Sequence, residues 1–253
     1  MSKNPQYFLQ SLDNALSVID VISAGDSLSL SDIHKKTGYS NATLLRMLCT
    51  LEAHHCIYKD DNGKYHLGHR LAYWGNKVDR NNIFITTAHP YLVKLRDKFN
   101  ETAHINFLLN NGNVLFAHRI PANRAIVMNT IVGSELEAYC TATGKALLSC
   151  LNDHDLSEMI DQYHFTQYTP TTIMNKKALI QEINLIRDQG YAIDNEESED
   201  GLYCISVPVK ENEFNAVAAI SLSGPAERMK PNQTAIINAL SDTSLQIHNA
   251  YFS

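Results

Sequence analysis

Residues 28–68 have the sequence LSLSDIHKKTGYSNATLLRMLCTLEAHHCIYKDDNGKYHLG, and this stretch decides the fold of the front of the chain. Ser29 is a predicted N-cap, because its hydroxyl can accept a hydrogen bond from a backbone N–H in the first turn of a helix. The helix that follows, Asp32–Thr37, is predicted to end at Gly38. A short helix and a glycine turn are therefore expected here.

Ser40 is the predicted N-cap of a second helix. Its apolar residues recur at the spacing of one buried face: Leu44, Met47 or Leu48, and Leu51. The opposite face, which we expect to point outward, carries Asn41, Ala42, Leu45 and Arg46.

A tight hairpin is predicted after the second helix. The strand-like segments Cys56–Lys59 and Tyr65–Leu67 flank Asp61-Asn62-Gly63-Lys64, and Asn-Gly readily accepts the positive φ values of a type I′ turn. Both aspartates at the tip, Asp60 and Asp61, are expected to point to solvent. Two helices followed by a β-ribbon are the layout of a winged helix-turn-helix, a DNA-binding unit.

Size and composition are those of a globular protein of one large domain or two ordinary ones, with 253 residues, 44% of them hydrophobic and 19% charged. No apolar run is long enough to span a bilayer and no signal peptide is evident, so a cytoplasmic protein is expected. The five cysteines are scattered without a CxxC pair, which favours reduced thiols over disulfides or a zinc site.

The formal net charge of −6 is unevenly distributed. Residues 1–80 contain nine Lys and Arg against eight Asp and Glu, whereas residues 81–253 contain twelve against nineteen. Residues 1–80 are therefore the part of the chain that the phosphates of DNA repel less. Since this balance is weak for a DNA-binding unit, we expect two paired copies to bind DNA where one copy binds poorly.

Three further helices are predicted around this unit. Tyr7–Ala24 carries Leu9, Leu12, Leu16, Ile19 and either Val21 or Ile22 near helical spacing, and either packs on the helix pair or pairs with another subunit. Gly68–Asp79 is expected to be a connecting helix with Leu71, Trp74 and Val78 on one side. Ile83–Asn100 is expected to be a helix in which Pro90 lies near the first turn or causes a kink.

The rest of the chain alternates between strand and helix patterns, which predicts an α+β domain. The predicted strands are His104–Leu109, Val114–Arg119, Ala125–Ile131, Tyr191–Asn195, Leu202–Val209 and Ala216–Ser223. The predicted helices are Thr141–Leu151, Asp153–Gln162, Lys176–Gln189 and Asn232–Phe252.

Five motifs in order resemble the IclR family of bacterial transcriptional regulators. They are Gln10-Ser11-Leu12 with Ala15-Leu16; Thr37-Gly38 through Leu51; Lys64 to Gly68; Ala142-Thr143-Gly144-Lys145-Ala146-Leu147-Leu148; and Gly190-Tyr191-Ala192 with Asp194, Gly201, Cys204-Ile205, Pro208 and Ser221 to Pro225. The resemblance implies a winged helix-turn-helix (residues 1–68), a linker helix (69–82) and a GAF-like effector-binding domain (83–253). It also implies homodimers or homotetramers on operator DNA and a small-molecule effector, with no cofactor, metal or catalytic role.

The residues expected to contact DNA are Ser40, Asn41, Ala42, Thr43, Leu45, Arg46, Lys64 and Arg70. Arg46 either contacts phosphate or guanine, or forms a surface salt bridge with Glu52 or Asp32. Ser40 and Thr43 either bind phosphate or cap their own helix. Asn41-Ala42 replaces the Lys-Ser common in the family, and Leu45 replaces a His or Tyr, which favours A·T pairs under the helix. The basic residues in and beside the hairpin either reach phosphate or the minor groove, or belong to an ordinary exposed hairpin: Lys59, Lys64, His66, His69 and Arg70.

The family's effector pocket maps onto Ala125, Met128, Leu136, Ala142, Thr143, Asp194, Cys204, Ser221 and Ser223. Backbone N–H groups at the predicted helix start, Thr141 to Lys145, together with hydroxyl groups, suit a small hydroxy, keto or sugar-derived acid. The alternatives are a buried core cysteine at 204, solvent-facing serines at 221 and 223, and a turn residue at 194.

Two other functions are weighed against a ligand-responsive regulator. A cysteine-dependent enzyme lacks a supporting signature, because no GxSxG, HExxH, GxxxxGK[ST] or GxGxxG occurs in the sequence. A DNA-binding regulator controlled by a partner protein remains open on these grounds.

Overall fold

The computed structural model describes residues 8–25, 27–81, 83–127 and 130–252. The chain divides into two compact units, Met1–Asn81 and Asn82–Ser253. Unit 1 has the predicted helix-turn-helix and wing, in the order α1 (Gln10–Ser23), α2 (Leu30–Thr37), α3 (Asn41–Ala53), β1 (Ile57–Lys59), β2 (Tyr65–Leu67) and α4 (His69–Asn81). Among the described residues, no helix combines the length and the apolar character needed to cross a bilayer.

The start of α2 follows from its cap. Ser29 and Asp32 form a capping box, in which the Ser29 hydroxyl accepts from the Asp32 N–H and the Asp32 carboxylate accepts from the Ser29 N–H. The helix therefore begins at Leu30, two residues before the predicted start, because the capping box makes Asp32 its third residue. Gly38, at φ 73°, ends it in the left-handed conformation as predicted.

The buried face of α1 is only partly the predicted one, because Ile22 belongs to the predicted apolar set and Val18 does not. Val18 and Ile22 enter the core of unit 1, whereas Leu9, Leu12 and Leu16 are more than half exposed. Two apolar stripes lie on this helix, and leucine periodicity alone does not tell which one faces the core. The remaining core residues are Ile33, Leu44, Leu48, Ile57 and Tyr65.

The wing turn is not of type I′, which needs positive φ at both central residues. Asn62 has no positive φ, while Gly63 has φ 77°. The Gly63 N–H donates to the Asp60 carbonyl at 3.0 Å, and Asp60 and Lys64 close the loop with a 2.8 Å backbone hydrogen bond. The result is a three-residue hairpin loop that ends in a left-handed glycine, the common alternative to the two-residue turn.

Unit 2 is a six-stranded antiparallel sheet of order β5-β4-β3-β8-β7-β6 with helices on both faces. Its elements are α5 (Ile83–Phe99), β3 (Thr102–Leu108), β4 (Asn113–Ile120), β5 (Glu135–Glu137), α6 (Ala142–Leu148), α7 (Asp153–Ile160), α8 (Lys176–Gln189), β6 (Ala192–Asn195), β7 (Leu202–Asn212), β8 (Asn215–Pro225), α9 (Ala226–Met229) and α10 (Gln233–Phe252).

The two faces of this sheet have different chemistry. On one face, Ile105, Ile205 and Ile220 form an apolar core with α5 and α10. On the other face the alternate residues of the same strands are buried and partly polar, and α6 and α8 cover them. The period of two along a strand sends successive side chains to opposite faces. The polar face is therefore the one that can hold a ligand.

Among the described residues, one predicted strand does not form and one observed strand was not predicted. The described residues of the predicted strand Ala125–Ile131 form bends and irregular chain, with Ile126 and Ile131 each 70% exposed. The short β5 instead pairs with the edge of β4. Two of its three residues are glutamates, which are depleted in strands, so the sequence carried little signal for it.

Candidate functional site

The outward face of α3 in unit 1 is fully available to a partner. Asn41, Ala42, Thr43, Leu45 and Arg46 are all exposed, while Leu44 and Leu48 on the opposite side are buried. This is the division of faces that the apolar spacing predicts. A helix exposed in this way after a turn is the element that enters the major groove in helix-turn-helix proteins.

Ser40 caps α3, and Thr43 in the first turn is its partner. The Ser40 hydroxyl accepts from the Thr43 N–H at 3.3 Å and is hydrogen-bonded to the Thr43 hydroxyl at 2.9 Å. Both side chains are exposed, so capping leaves lone pairs and rotamers available for other partners.

Arg46 does not form the salt bridge that was its alternative role. Within the described parts of the chain, no carboxylate lies at ion-pair distance from its guanidinium. Its charge is therefore uncompensated on the exposed face of α3.

The wing is organised by Asp60, which does not point to solvent. Its carboxylate accepts hydrogen bonds from the N–H groups of Asn62 and Lys64, and its other oxygen lies 2.9 Å from Nε2 of His66. These hydrogen bonds, the one with His66 first, lower the pKa of Asp60 below its ordinary value. Only Asp61 is exposed at the tip as predicted.

Lys64 in the wing and Arg70 at the start of α4, the two cations proposed here for DNA contact, are both exposed. The Lys64 ammonium lies 3.3 Å from the Ser27 hydroxyl, and the Arg70 guanidinium lies 5.9 Å from the ring centre of Tyr73. Neither contact neutralises a charge.

In unit 2 a small cavity of about 20 Å³ lies between the start of α6 and the polar face of the sheet. Its lining includes seven of the nine residues expected in an effector pocket: Leu136, Ala142, Thr143, Asp194, Cys204, Ser221 and Ser223. Ala125 is exposed and does not line it, and Met128 lies outside the described residues. Sequence reasoning missed the other lining residues, Phe116, Thr141 and Ser198.

Strand register explains why distant residues meet here. Asp194 on β6 is opposite Cys204 on β7, which is opposite Ser223 on β8, which is opposite Thr102 on β3. These four side chains form one row across the polar face. Ser221 and Ser223 are buried, so the alternative that they face solvent is wrong.

The start of α6 is held tightly against the preceding 3₁₀ turn. The Thr141 hydroxyl accepts from the Gly144 N–H at 3.1 Å, and a Cβ at Gly144 would lie 2.3 Å from the Ala138 carbonyl oxygen. Only glycine, which has no Cβ, allows the helix to lie this close to the Ala138 backbone. The N–H groups of Ala142 and Thr143, the first two residues of the helix, have no acceptor within it.

Asp194 is a buried carboxyl group whose oxygens are already engaged. One accepts from the Glu197 N–H at 2.7 Å and the other from the Ser198 hydroxyl at 2.6 Å. Burial raises the pKa of Asp194 despite these hydrogen bonds. Asp194 therefore shapes the wall by holding the β6–β7 connection and is not a simple turn residue.

Cys204 has the character of a buried thiol. Burial, followed by the nearby Asp194 carboxyl, raises the pKa of Cys204 well above its ordinary value. A nucleophilic cysteine needs the opposite shift, toward the thiolate. This argues against the cysteine-dependent enzyme.

A buried charge cluster that sequence reasoning missed lies next to the cavity. The Lys145 ammonium is 2.5 Å from Glu197 and 3.2 Å from Glu182, and burial raises the pKa of Glu197 to about 7. A lysine inside the otherwise apolar helix ATGKALL was the available signal, since lysine is almost never fully buried unless paired.

Comparisons with known proteins match both units. Residues 11–61 match the IclR helix-turn-helix domain, and residues 76–249 match the family described as bacterial transcriptional regulator IclR C-terminal. The chain is 32% identical over 229 residues to the HTH-type transcriptional regulator XynR of Escherichia coli, covering 90% of each protein. It is 30% identical over 223 residues to the HTH-type transcriptional repressor AllR of the same species, covering 87% of this chain and 82% of AllR.

Solved structures of IclR proteins are also similar to this chain. The IclR protein of Thermotoga maritima aligns with a TM-score of 0.73 at 26% identity, covering 95% of this chain and all of that one. An IclR homolog from Microbacterium hydrocarbonoxydans, solved in complex with 4-hydroxybenzoate, aligns with a TM-score of 0.79 at 18% identity, covering 95% and 98%. At that identity the second likeness concerns the fold. These relatives are transcriptional regulators and not enzymes, and the chain belongs to the IclR family of DNA-binding bacterial transcriptional regulators.

Proposed function

We propose that this regulator controls a metabolic operon in response to a small organic acid bound in the cavity of unit 2. The observation that carries the proposal is the convergence of Thr143, Ser221 and Ser223 on one buried space at the start of α6. The first N–H groups of a helix have no acceptor within it. Hydroxyl and amide donors in a space shielded from water favour an oxygen-rich anion over an apolar ligand.

The ligand is expected to be a small hydroxy, keto or sugar-derived acid. Asp194 lines the same space, so a second carboxylate would meet a carboxyl group there. Ala142 has a small side chain that allows close approach to the backbone. Cys204 and Leu136 supply the apolar part of the wall.

The cavity must open to admit such a ligand. A space of about 20 Å³ holds one water molecule. Leu136 lines this cavity and also a cleft of about 550 Å³ on the outside of the same unit, so a shift of Leu136 is the shortest way in.

On DNA, we assign the outward face of α3 to the major groove. Arg46 would bind phosphate or guanine, Asn41 would bind adenine through its amide, and Leu45 would contact a thymine methyl group. The exposed positions of all three support this. The phosphate contacts are assigned to Ser40, Thr43, Lys64 and Arg70, with Ala42 close to the backbone.

This assignment predicts A·T pairs beneath α3. The check is a binding-site selection with the wild-type protein and with Asn41→Ala. Loss of the adenine preference at one position in each half-site is expected, and an unchanged preference contradicts the role of Asn41.

Dimer formation is proposed to supply the affinity that a near-neutral winged unit lacks. Leu9, Leu12 and Leu16 form an exposed apolar stripe on α1 that suits a second copy of the chain. Ligand binding would then bias how paired units sit on two half-sites, through the linker helix at residues 69–82, where Trp74 is 51% exposed.

The experiment is a thermal-shift screen of the full chain with pyruvate, D-gluconate and 4-hydroxybenzoate, followed by titration of the selected operator with and without the acid that binds. A ligand that binds only the native state raises the melting temperature. We expect the effect to disappear in Thr143→Val and Ser223→Ala. An operator affinity that no acid changes, with no thermal shift, would favour control by a partner protein.

A further inference from the structure

Two polar side chains on β3 are buried and have no hydrogen-bond partner in the part of the chain that the structure describes. His104 and Asn106 are both fully buried. Neither ring nitrogen of His104 and neither polar atom of the Asn106 amide has a hydrogen-bond partner among the described residues. Buried polar groups in native proteins are nearly always paired, so two adjacent exceptions on one strand face indicate a missing partner.

Both side chains adjoin the cavity. In the strand register, His104 is opposite Ser221, and Asn106 is opposite Phe116. Ser221 and Phe116 line the cavity, and the Phe116 ring packs edge-on against His104 with 5.6 Å between ring centres. The Cβ atoms of directly opposite residues on one face lie about 5 Å apart. The His104 ring and the Asn106 amide are therefore next to side chains that line the cavity.

The two groups suit a neutral polar partner. Burial lowers the pKa of His104 to about 3, so its ring is uncharged at neutral pH, with one nitrogen donating and the other accepting. The Asn106 amide likewise offers both a donor and an acceptor. A hydroxyl group, which donates one hydrogen bond and accepts others, matches this pair.

We propose that His104 and Asn106 form a second polar subsite of the effector pocket, which binds a hydroxyl group carried several bonds away from the effector's carboxylate. Rotation of the Phe116 ring joins this subsite to the cavity. The subsite selects a polyhydroxy acid over a short keto acid. This subsite proposal rests on the proposed function, and it narrows the effector from small organic acids in general to polyhydroxy acids.

Isothermal titration calorimetry of the full chain with D-gluconate and with pyruvate tests this subsite. In His104→Phe and Asn106→Leu, the Kd for gluconate is expected to rise about three- to tenfold each, the range of one lost hydrogen bond, while the Kd for pyruvate is unchanged. His104→Gln, which keeps a donor and an acceptor, is expected to retain part of the gluconate affinity.

Ser206→Ala is the matched control. Ser206 lies on the same face, opposite Ser221, but its hydroxyl already donates to the Ile220 carbonyl at 3.0 Å, so gluconate affinity is expected to stay unchanged.

The melting temperatures of the unliganded variants give a second readout. Removing an unpaired buried polar group is neutral or stabilising, so His104→Phe and Asn106→Leu are expected to melt no lower than the wild type.

The outcomes separate the two proposals. Unchanged gluconate affinity in both variants, or lower melting temperatures in both, overturns the subsite and leaves the organic-acid proposal standing. Binding of pyruvate without binding of gluconate also overturns the subsite alone. If the wild type binds neither acid, the subsite falls, and the organic-acid proposal falls with it when the thermal-shift screen also finds no ligand.

Discussion

The Lys145 ammonium lies 2.5 Å from Oε1 of Glu197, and both side chains are buried in unit 2. Replacing Lys145 with methionine leaves Glu197 buried without its counter-charge. Breaking a buried pair from one side costs about 3–5 kcal/mol. We therefore expect Lys145→Met to lower the free energy of unfolding by about that amount in urea titrations followed by circular dichroism.

Lys176→Met is the control for this prediction. The Lys176 ammonium also lies 2.5 Å from a carboxylate, that of Asp161, but both side chains are more than a third exposed. Exposed pairs contribute about 0–1 kcal/mol, so the control is expected to unfold nearly as the wild type does. Equal losses in the two variants would contradict the role given to burial.

The decrease in the free energy of unfolding at acidic pH should depend on His104. Its folded pKa of about 3 lies below the ordinary value of 6.5, so the unfolded chain binds a proton between these pH values that the folded chain does not. His104 therefore leaves the free energy of unfolding unchanged above pH about 6.5 and lowers it increasingly as the pH falls toward 3, because the unfolded chain takes up the proton first. In His104→Phe the loss of stability with falling pH should be shallower, by up to about 1.4 kcal/mol per pH unit.

Calorimetry between pH 7 and pH 4.5, at about half-unit steps, measures this slope. The control is Ser206→Ala, which lies on the same sheet face opposite Ser221 and removes no titratable group, so it should keep the wild-type slope. A His104→Phe slope equal to that of the wild type would mean that His104 takes up its proton in the folded state.

Arg46 should contribute to operator affinity through its uncompensated charge. Arg46→Ala is expected to weaken binding by about tenfold and, if the contact is to phosphate, to reduce the salt slope by about one. Fluorescence anisotropy over a series of salt concentrations measures both. Lys177→Ala removes the same charge from an exposed position on α8 of unit 2, and it is expected to change neither quantity.

The wing turn depends on Gly63, whose φ is 77°. Alanine in that conformation costs about 1–2 kcal/mol, whereas asparagine tolerates it better. Gly63→Ala should therefore increase hydrogen–deuterium exchange across residues 57–67 by roughly five- to thirtyfold, as mass spectrometry would detect. Gly63→Asn should stay closer to the wild type, and the reverse order would exclude a conformational cause.

The apolar stripe on α1 should support pairing of two chains. Leu12→Glu and Leu16→Glu introduce charges into this stripe, and sedimentation velocity is expected to show dissociation at concentrations at which the wild type is associated. Ser23→Glu adds the same charge at an exposed position at the end of the helix and should leave association intact. Unaltered sedimentation of both leucine variants would place the dimer contact elsewhere.

Local chemistry explains which features the sequence could predict. The Ser29 cap, the left-handed Gly38 and the limits of α8 at Lys176 and Gln189 all depend on residues close to one another in the sequence. Such signals survive in any tertiary context. The apolar spacing of α3 predicted its buried and outward faces for the same reason.

Features set by long-range contacts were not predictable in this way. The leucines of α1 follow helical spacing, yet Val18 and Ile22 are the residues that meet the core of unit 1. His104 attracted no attention as a site residue, because only the pairing of β3 with β8 places it beside Ser221. That pairing joins residues more than a hundred positions apart.

The closed cavity has a consequence for how the regulator would be tuned. If only a fraction of molecules is open, the apparent Kd equals the intrinsic Kd divided by that fraction, so an open population of about 1% weakens apparent affinity about a hundredfold. Substitutions that loosen Leu136 without touching the ligand would then lower the concentration at which the protein responds. Substitutions around Leu136 could therefore change the effector concentration at which the protein responds without changing which effector it binds.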